Sequence, residues 1–122
     1  MTKQMIDQQE LPKYIAQAIP ELAGICKKEK CRNPYDFARQ MLRYTSAQIM
    51  DQNIKAAKEC LALGERLYQK GNKTIKNAIE NVFVYSFSLA FFHDENKREE
   101  VIPIVPAFLY DLYKKQVLSS HL

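Results

Sequence analysis

Hydrophobic positions recur at helical intervals along most of the chain, and at one place they close round the whole circumference. From Asn72 to His93, the run NKTIKNAIENVFVYSFSLAFFH begins amphipathic and becomes apolar on every side, with only Ser86 and Ser88 polar between Val82 and Phe92. A segment of that kind has to be enclosed by the rest of the protein. Its aromatic and β-branched residues would also suit a strand. Continuity decides for a helix: Ile75, Ala78, Ile79, Val82, Phe83, Ser86, Leu89 and Ala90 prolong one stripe, with no glycine, proline or turn cluster between Thr74 and His93. One helix over 73–92 is predicted, its serines bonding back to carbonyls one turn earlier.

The flanking pattern predicts four more helices. Leu11, Ile15 and Ile19 mark a helix over 11–19 that opens near Pro12, is broken by Pro20 and stopped at Gly24. A polar connector over 26–32 follows. Asn33-Pro34-Tyr35-Asp36 is a helix start, with a capping amide, a proline that lacks only an unneeded donor, and an acid at the positive end of the dipole. Phe37, Met41, Tyr44 and Gln48 or Ile49 then line a helix over 34–50. Ile54, Ala57, Leu61, Gly64, Leu67 and Tyr68 line another over 52–70, with a stop at Gly71-Asn72. Residues 94–100 read as a charged loop and Val101 to Pro106 as an extended apolar entry. Phe108, Leu109, Leu112, Tyr113, Gln116 and Val117 mark a final helix ending near Leu118. The expected fold class is all-α: one domain over 1–122, about five helices packed antiparallel around the apolar helix at 73–92.

Composition narrows the classes. At 122 residues, 47% hydrophobic and 26% charged, the chain suits a single globular domain. The N-terminus MTKQMIDQQELPK has no apolar signal core, and the longest apolar run is well short of the roughly 20 residues that span a bilayer. A cytoplasmic protein without a membrane segment is expected. The odd number of cysteines, Cys26, Cys31 and Cys60, argues against a disulfide framework. Without a CxxC pair the expectation is free thiols, the other reading being zinc held by Cys26, Cys31 and a distant histidine.

Catalytic motifs are missing: there is no phosphate loop, HExxH, GxSxG or EF-hand. His93 stands where the core helix should end, which favours a capping imidazolium over a metal site with Asp94 and Glu95, since adjacent residues point apart. His121 lies near the C-terminus. Asn77 and Asn81, one helical turn apart, form a polar strip that can bond a partner's backbone or simply face solvent. Charge is more informative. Residues 27–43 hold Lys27, Lys28, Lys30, Arg32, Arg39 and Arg43 against Glu29 and Asp36, an excess equal to the net charge of +4 of the whole chain. Arg39 and Arg43 are one turn apart, so a basic patch follows, suited to an acidic protein surface or to nucleic acid; Asp36 on the same face opposes the second. An ordinary solvated lysine-rich loop is the plainer alternative.

The words Gly71-Asn72, LysAsnAlaIleGluAsnValPhe at 76–83 and Tyr85-Ser86-x-Ser88, with Pro106-x-x-Leu109 and Tyr113-x-x-Gln116 near the end, resemble an uncharacterised family of small all-helical bacterial proteins, a domain of unknown function. The resemblance spans roughly residues 5–120 and implies a helical fold and a bacterial origin. It carries over no catalytic residue and no cofactor, and it is loosely similar to small immunity proteins. The expectation is a non-enzymatic cytoplasmic module that binds a macromolecule, such as an acidic toxin domain, through Lys28, Arg32, Arg39 and Arg43. Nucleic-acid binding by the same patch comes second, and a metal-dependent enzyme using His93, Asp94 and Glu95 last. Seven tyrosines and no tryptophan suit core filling or an interface; a final helix apolar on two faces would favour a homodimer.

Overall fold

The structure, a computed structural model, describes residues 5–120, so His121 lies outside it. The described residues form seven helices. They are α1 (Leu11–Ala18), α2 (Pro20–Lys28), α3 (Pro34–Met50), α4 (Ile54–Lys70), α5, α6 (Glu95–Val101) and α7 (Ala107–Ser120). Helix α5 runs through three consecutive stretches: α-helical Lys73–Ala78, π-helical Ile79–Val84 and α-helical Tyr85–Phe91. A 3₁₀ turn at Ile102–Ile104 precedes α7. Among the described residues there is no strand, only an isolated bridge between Ile6 and Gly71, and no helix long and apolar enough to cross a membrane. The all-α expectation holds.

Several boundaries depart from the sequence reading, each for a local reason. Pro20 does not merely end α1. It forces Ile19 into an extended conformation (φ −142°, ψ 86°) and then serves as the first residue of α2. Helix α2 passes straight through Gly24, whose missing side chain faces open space, and carries Cys26 to Lys28 where a connector was expected. Both α2 and α3 end without glycine. Lys30 (φ 57°) and Gln52 (φ 61°) take the left-handed position that glycine usually fills, and Gln52 delays α4 to Ile54. The charged loop expected at 94–100 is helical because Asp94 caps it, its carboxylate accepting from the Asn96 and Lys97 amides at 2.9 and 3.2 Å. The Asn33 start of α3 is as expected, its Oδ1 accepting from the Asp36 amide at 3.0 Å.

The largest departure is inside α5. The expected stripe continued through Val82, Ser86, Leu89 and Ala90, yet Phe87, Ser88, Phe91 and Phe92 are the buried residues, while Leu89 is 49% exposed and Ala90 is exposed as well. The π-helical stretch is the cause. Its wider turn, with bonds from i to i+5, lets one more residue pass before the face comes round again, so every later position slips by about one. The Tyr85 amide bonds the Glu80 carbonyl in that i+5 pattern, and the Gln116 side chain of α7 donates to the same carbonyl at 2.9 Å. Helix α5 lies against α3 and α4 along its first two stretches and reaches α7 from the π stretch onward. Where α4 meets it, Gly64 sits directly under the Phe83 ring.

The interior is almost wholly apolar, and its two buried hydroxyls are spent on their own helices. Thr45 donates to the Met41 carbonyl and Ser88 to the Val84 carbonyl, both at 2.8 Å, the back-bonding anticipated for Ser88. Among the described residues no buried side-chain polar atom lacks a partner. Burial also raises four acids, half-buried Cys31 among them. Cys26, Cys60 and Tyr44 are each pushed up to about 12, Tyr44 with help from the Glu21 carboxylate to which it donates at 3.0 Å. These folded values lie above the ordinary 9.0 for a thiol and 10.0 for a phenol. The unfolded chain therefore releases protons that the folded chain keeps, and stability is complete below about pH 9 and falls as pH rises toward 12. Urea unfolding across that alkaline range should show the loss, and Cys60→Ala should flatten the slope by up to about 1.4 kcal/mol per pH unit. A pH-independent urea midpoint up to pH 11 would contradict it.

Candidate functional site

The basic surface is assembled from the end of α2, the turn after it and the first two turns of α3. Lys27 and Lys28 occupy the last turn of α2, where cations favour the helix dipole. All four of the expected partner-binding residues, Lys28, Arg32, Arg39 and Arg43, are exposed. Asp36 organises two of the local groups: its Oδ2 accepts from the Arg32 backbone amide at 3.0 Å and its Oδ1 from the Arg39 guanidinium at 2.7 Å. The Arg32 amide, with the guanidinium, holds the Asp36 carboxyl below the usual carboxylate range. One turn further along, Arg43 continues the face. Among the described residues Arg39 is the only cation of this group in an ion pair; Lys28, Arg32 and Arg43 have none. The arrangement presents cations outward around one carboxylate, and an exposed pair such as Arg39–Asp36 adds little stability by itself.

Asn77 and Asn81 are both exposed, Asn77 in the first α-helical stretch of α5 and Asn81 in its π stretch. The capping amide of α5 is Asn72, whose Oδ1 accepts from the Ile75 amide at 3.0 Å. His93 is exposed just beyond α5, and Asp94 is committed to capping α6. Among the described residues no group of three or more histidine, cysteine or acidic side chains could hold a metal. Cys26 and Cys31 do come together, and Cys60 is fully buried with its thiol against the Met41 carbonyl at 3.6 Å.

The sequence reading missed a groove between α5 and α7, about 450 Å³, walled by Tyr85, Leu89, His93, Tyr113, Gln116 and Val117. It exists because the π stretch turns Tyr85 and Leu89 outward, each 49% exposed. An uninterrupted helical period places Leu89 in the core, so no periodicity in the sequence could point to it. Helix α7 likewise buries Leu109 and Leu112 yet exposes Tyr110 and Leu118.

No curated protein and no solved structure matches the chain. A family match does cover it from residue 12 to residue 119, reaching every helix described above and taking in all the sequence words at 71–88 and 106–116. The chain therefore belongs to the family described as "Domain of unknown function (DUF7674)".

Proposed function

We propose that this protein is a cytoplasmic binding module, not an enzyme, that engages an acidic protein surface through the cations at 27–43, in the manner of a small immunity protein. The observation that carries the reading is the exposure of Lys28, Arg32, Arg39 and Arg43 on adjoining elements, with three of them free of ion pairs among the described residues. Helices hold Lys28, Arg39 and Arg43, and the bond from the Arg32 amide to Asp36 fixes the turn between them, so little ordering is needed on binding. The Asp36 carboxylate amid the cations favours a protein partner over nucleic acid. A phosphate backbone would meet it as a like charge, whereas a protein partner can place a donor there.

Capture of partners from a lysate with tagged protein, at low and high salt, tests the reading. One acidic protein, released by salt, is the expected result. Reversing Arg39 and Arg43 to glutamate should weaken that capture by about 100-fold, roughly 1.4 kcal/mol for each site. Since both side chains are exposed, the helical signal should not change. Undiminished capture by the double variant would remove this surface as the site. A gel shift with nucleic acid that steepens at low salt would favour the alternative. The mass of the free protein in solution reports self-association through α7.

A further inference from the structure

Helix α2 ends in a way that brings two thiols together. The left-handed residue Lys30 turns the chain back, so that the Cys31 amide bonds the Cys26 carbonyl at 3.0 Å and the Lys30 amide bonds the Lys27 carbonyl at 3.1 Å. These are the two bonds of a Schellman motif, which sets the side chain after the turn against the one in the last helical turn. Here those two side chains are Cys31 and Cys26, and the thiols are near enough to influence each other's ionisation. Disulfides need Cα atoms about 4.4–6.8 Å apart, and this motif supplies backbone approach without disturbing the helix. The pair also has an entrance. Both cysteines line a cleft of about 270 Å³ with Pro12, Ile15, Ala23 and Phe37; Cys26 forms its buried floor and half-buried Cys31 stands nearer solvent. Cys60, by contrast, is fully enclosed.

We propose that Cys26 and Cys31 form a reactive dithiol site that low-molecular-weight disulfides of the glutathione class oxidise to an intramolecular disulfide. The proposal rests on the thiol geometry and is independent of the partner reading above. In the first step the Cys31 thiolate attacks one sulfur of the reagent. The reagent S–S bond breaks, one reagent thiol leaves with a proton, and a mixed disulfide remains on Cys31. The Cys26 sulfur, losing its proton, then attacks Cys31 Sγ, and the second reagent thiol leaves carrying that proton. Two protein thiols are oxidised and one reagent disulfide is reduced to two thiols. Burial raises both thiols, Cys26 to about 12, while the hydrogen bond from Cys26 favours ionisation at Cys31, which sets the order of attack. Reaction should therefore accelerate about tenfold per pH unit near neutrality, following the thiolate fraction.

The test is incubation of the full-length folded protein with oxidised glutathione, followed by alkylation and mass spectrometry. Trypsin cuts after Lys27, Lys28 and Lys30, so a Cys26–Cys31 disulfide appears as two peptides joined together. The expected result is that cross-link, with no retained glutathione, an unchanged helical signal and Cys60 alkylated only after denaturation. Cys60→Ser should behave as wild type, and Cys26→Ser should retain glutathione on Cys31. A stable glutathione adduct on wild-type Cys31, a cross-link between chains, no reaction, or a cross-link seen only once Cys60 becomes reactive would each overturn the proposal.

Discussion

Replacing Phe87 by alanine is expected to lower the unfolding free energy by about 3–5 kcal/mol, read as an earlier urea midpoint at unchanged slope. Phe87 is completely buried, and its ring stands 4.8 Å from Phe91, 5.8 Å from Phe92 in an edge-on contact and 6.5 Å from Phe83. Phe83 and Phe91 belong to α5 itself and Phe92 follows it directly, so they cannot collapse into the space without unwinding the helix, and the cavity persists. The loss is large against a total stability of about 5–15 kcal/mol. Leu89→Ala supplies the contrast. An unbroken α-helical register puts Leu89 in the core and predicts a cost of about 2–5 kcal/mol. The π stretch leaves it half exposed, and the expected cost is below about 1 kcal/mol. Equal losses at the two positions would show that the register slip is absent in solution.

Gly64→Val is expected to cost about 2–3 kcal/mol, although valine is the better helix former. A β-carbon at position 64 would stand 2.9 Å from Phe83 Cε2 and 3.3 Å from Cδ2, and the Phe83 ring has no free volume, being fully buried where α4 meets α5. Valine adds two methyl groups beyond that β-carbon, so α4 and α5 have to separate. Because the penalty belongs to the pair, shortening the partner should relieve it. Phe83→Leu in the Gly64→Val background should cost at least about 1 kcal/mol less than in wild type. Additive losses in this double-mutant cycle would mean that glycine serves something other than the approach of the two helices.

What could be read from the chain and what could not divide along a physical line. The start of α3 was legible because Asn33, Pro34 and Asp36 act within one turn, and the structure shows the capping bond they imply. The faces of α3 and α4 were legible through their regular spacing, with Phe37, Met41, Tyr44, Ala57, Leu61 and Leu67 buried as expected. The ends of α2 and α3 were not, because a lysine and a glutamine occupy the left-handed positions where the usual signal is glycine. Helix α6 was hidden because a string of charges reads as a loop unless its aspartate is recognised as a cap. Of the candidate site, the exposure of the basic residues was legible, but not the way Asp36 gathers Arg32 and Arg39.

The sequence by itself determined the all-helical class, the family and the excess of cations at 27–43, since these follow from local periodicity, residue identity and charge, which need no partner elsewhere in the chain. Tertiary structure decided the register of α5, the groove beside α7 and the meeting of Cys26 with Cys31. The first two depend on packing: the Phe83 ring seats on Gly64 and the Gln116 amide takes the Glu80 carbonyl in a stretch whose hydrogen bonds reach one residue further than in an α-helix. The third needs Lys30 to take a left-handed position that no glycine announces, at the end of a helix that packs against α3. Burial energy and close approach select these arrangements, and neither is a property of any one segment.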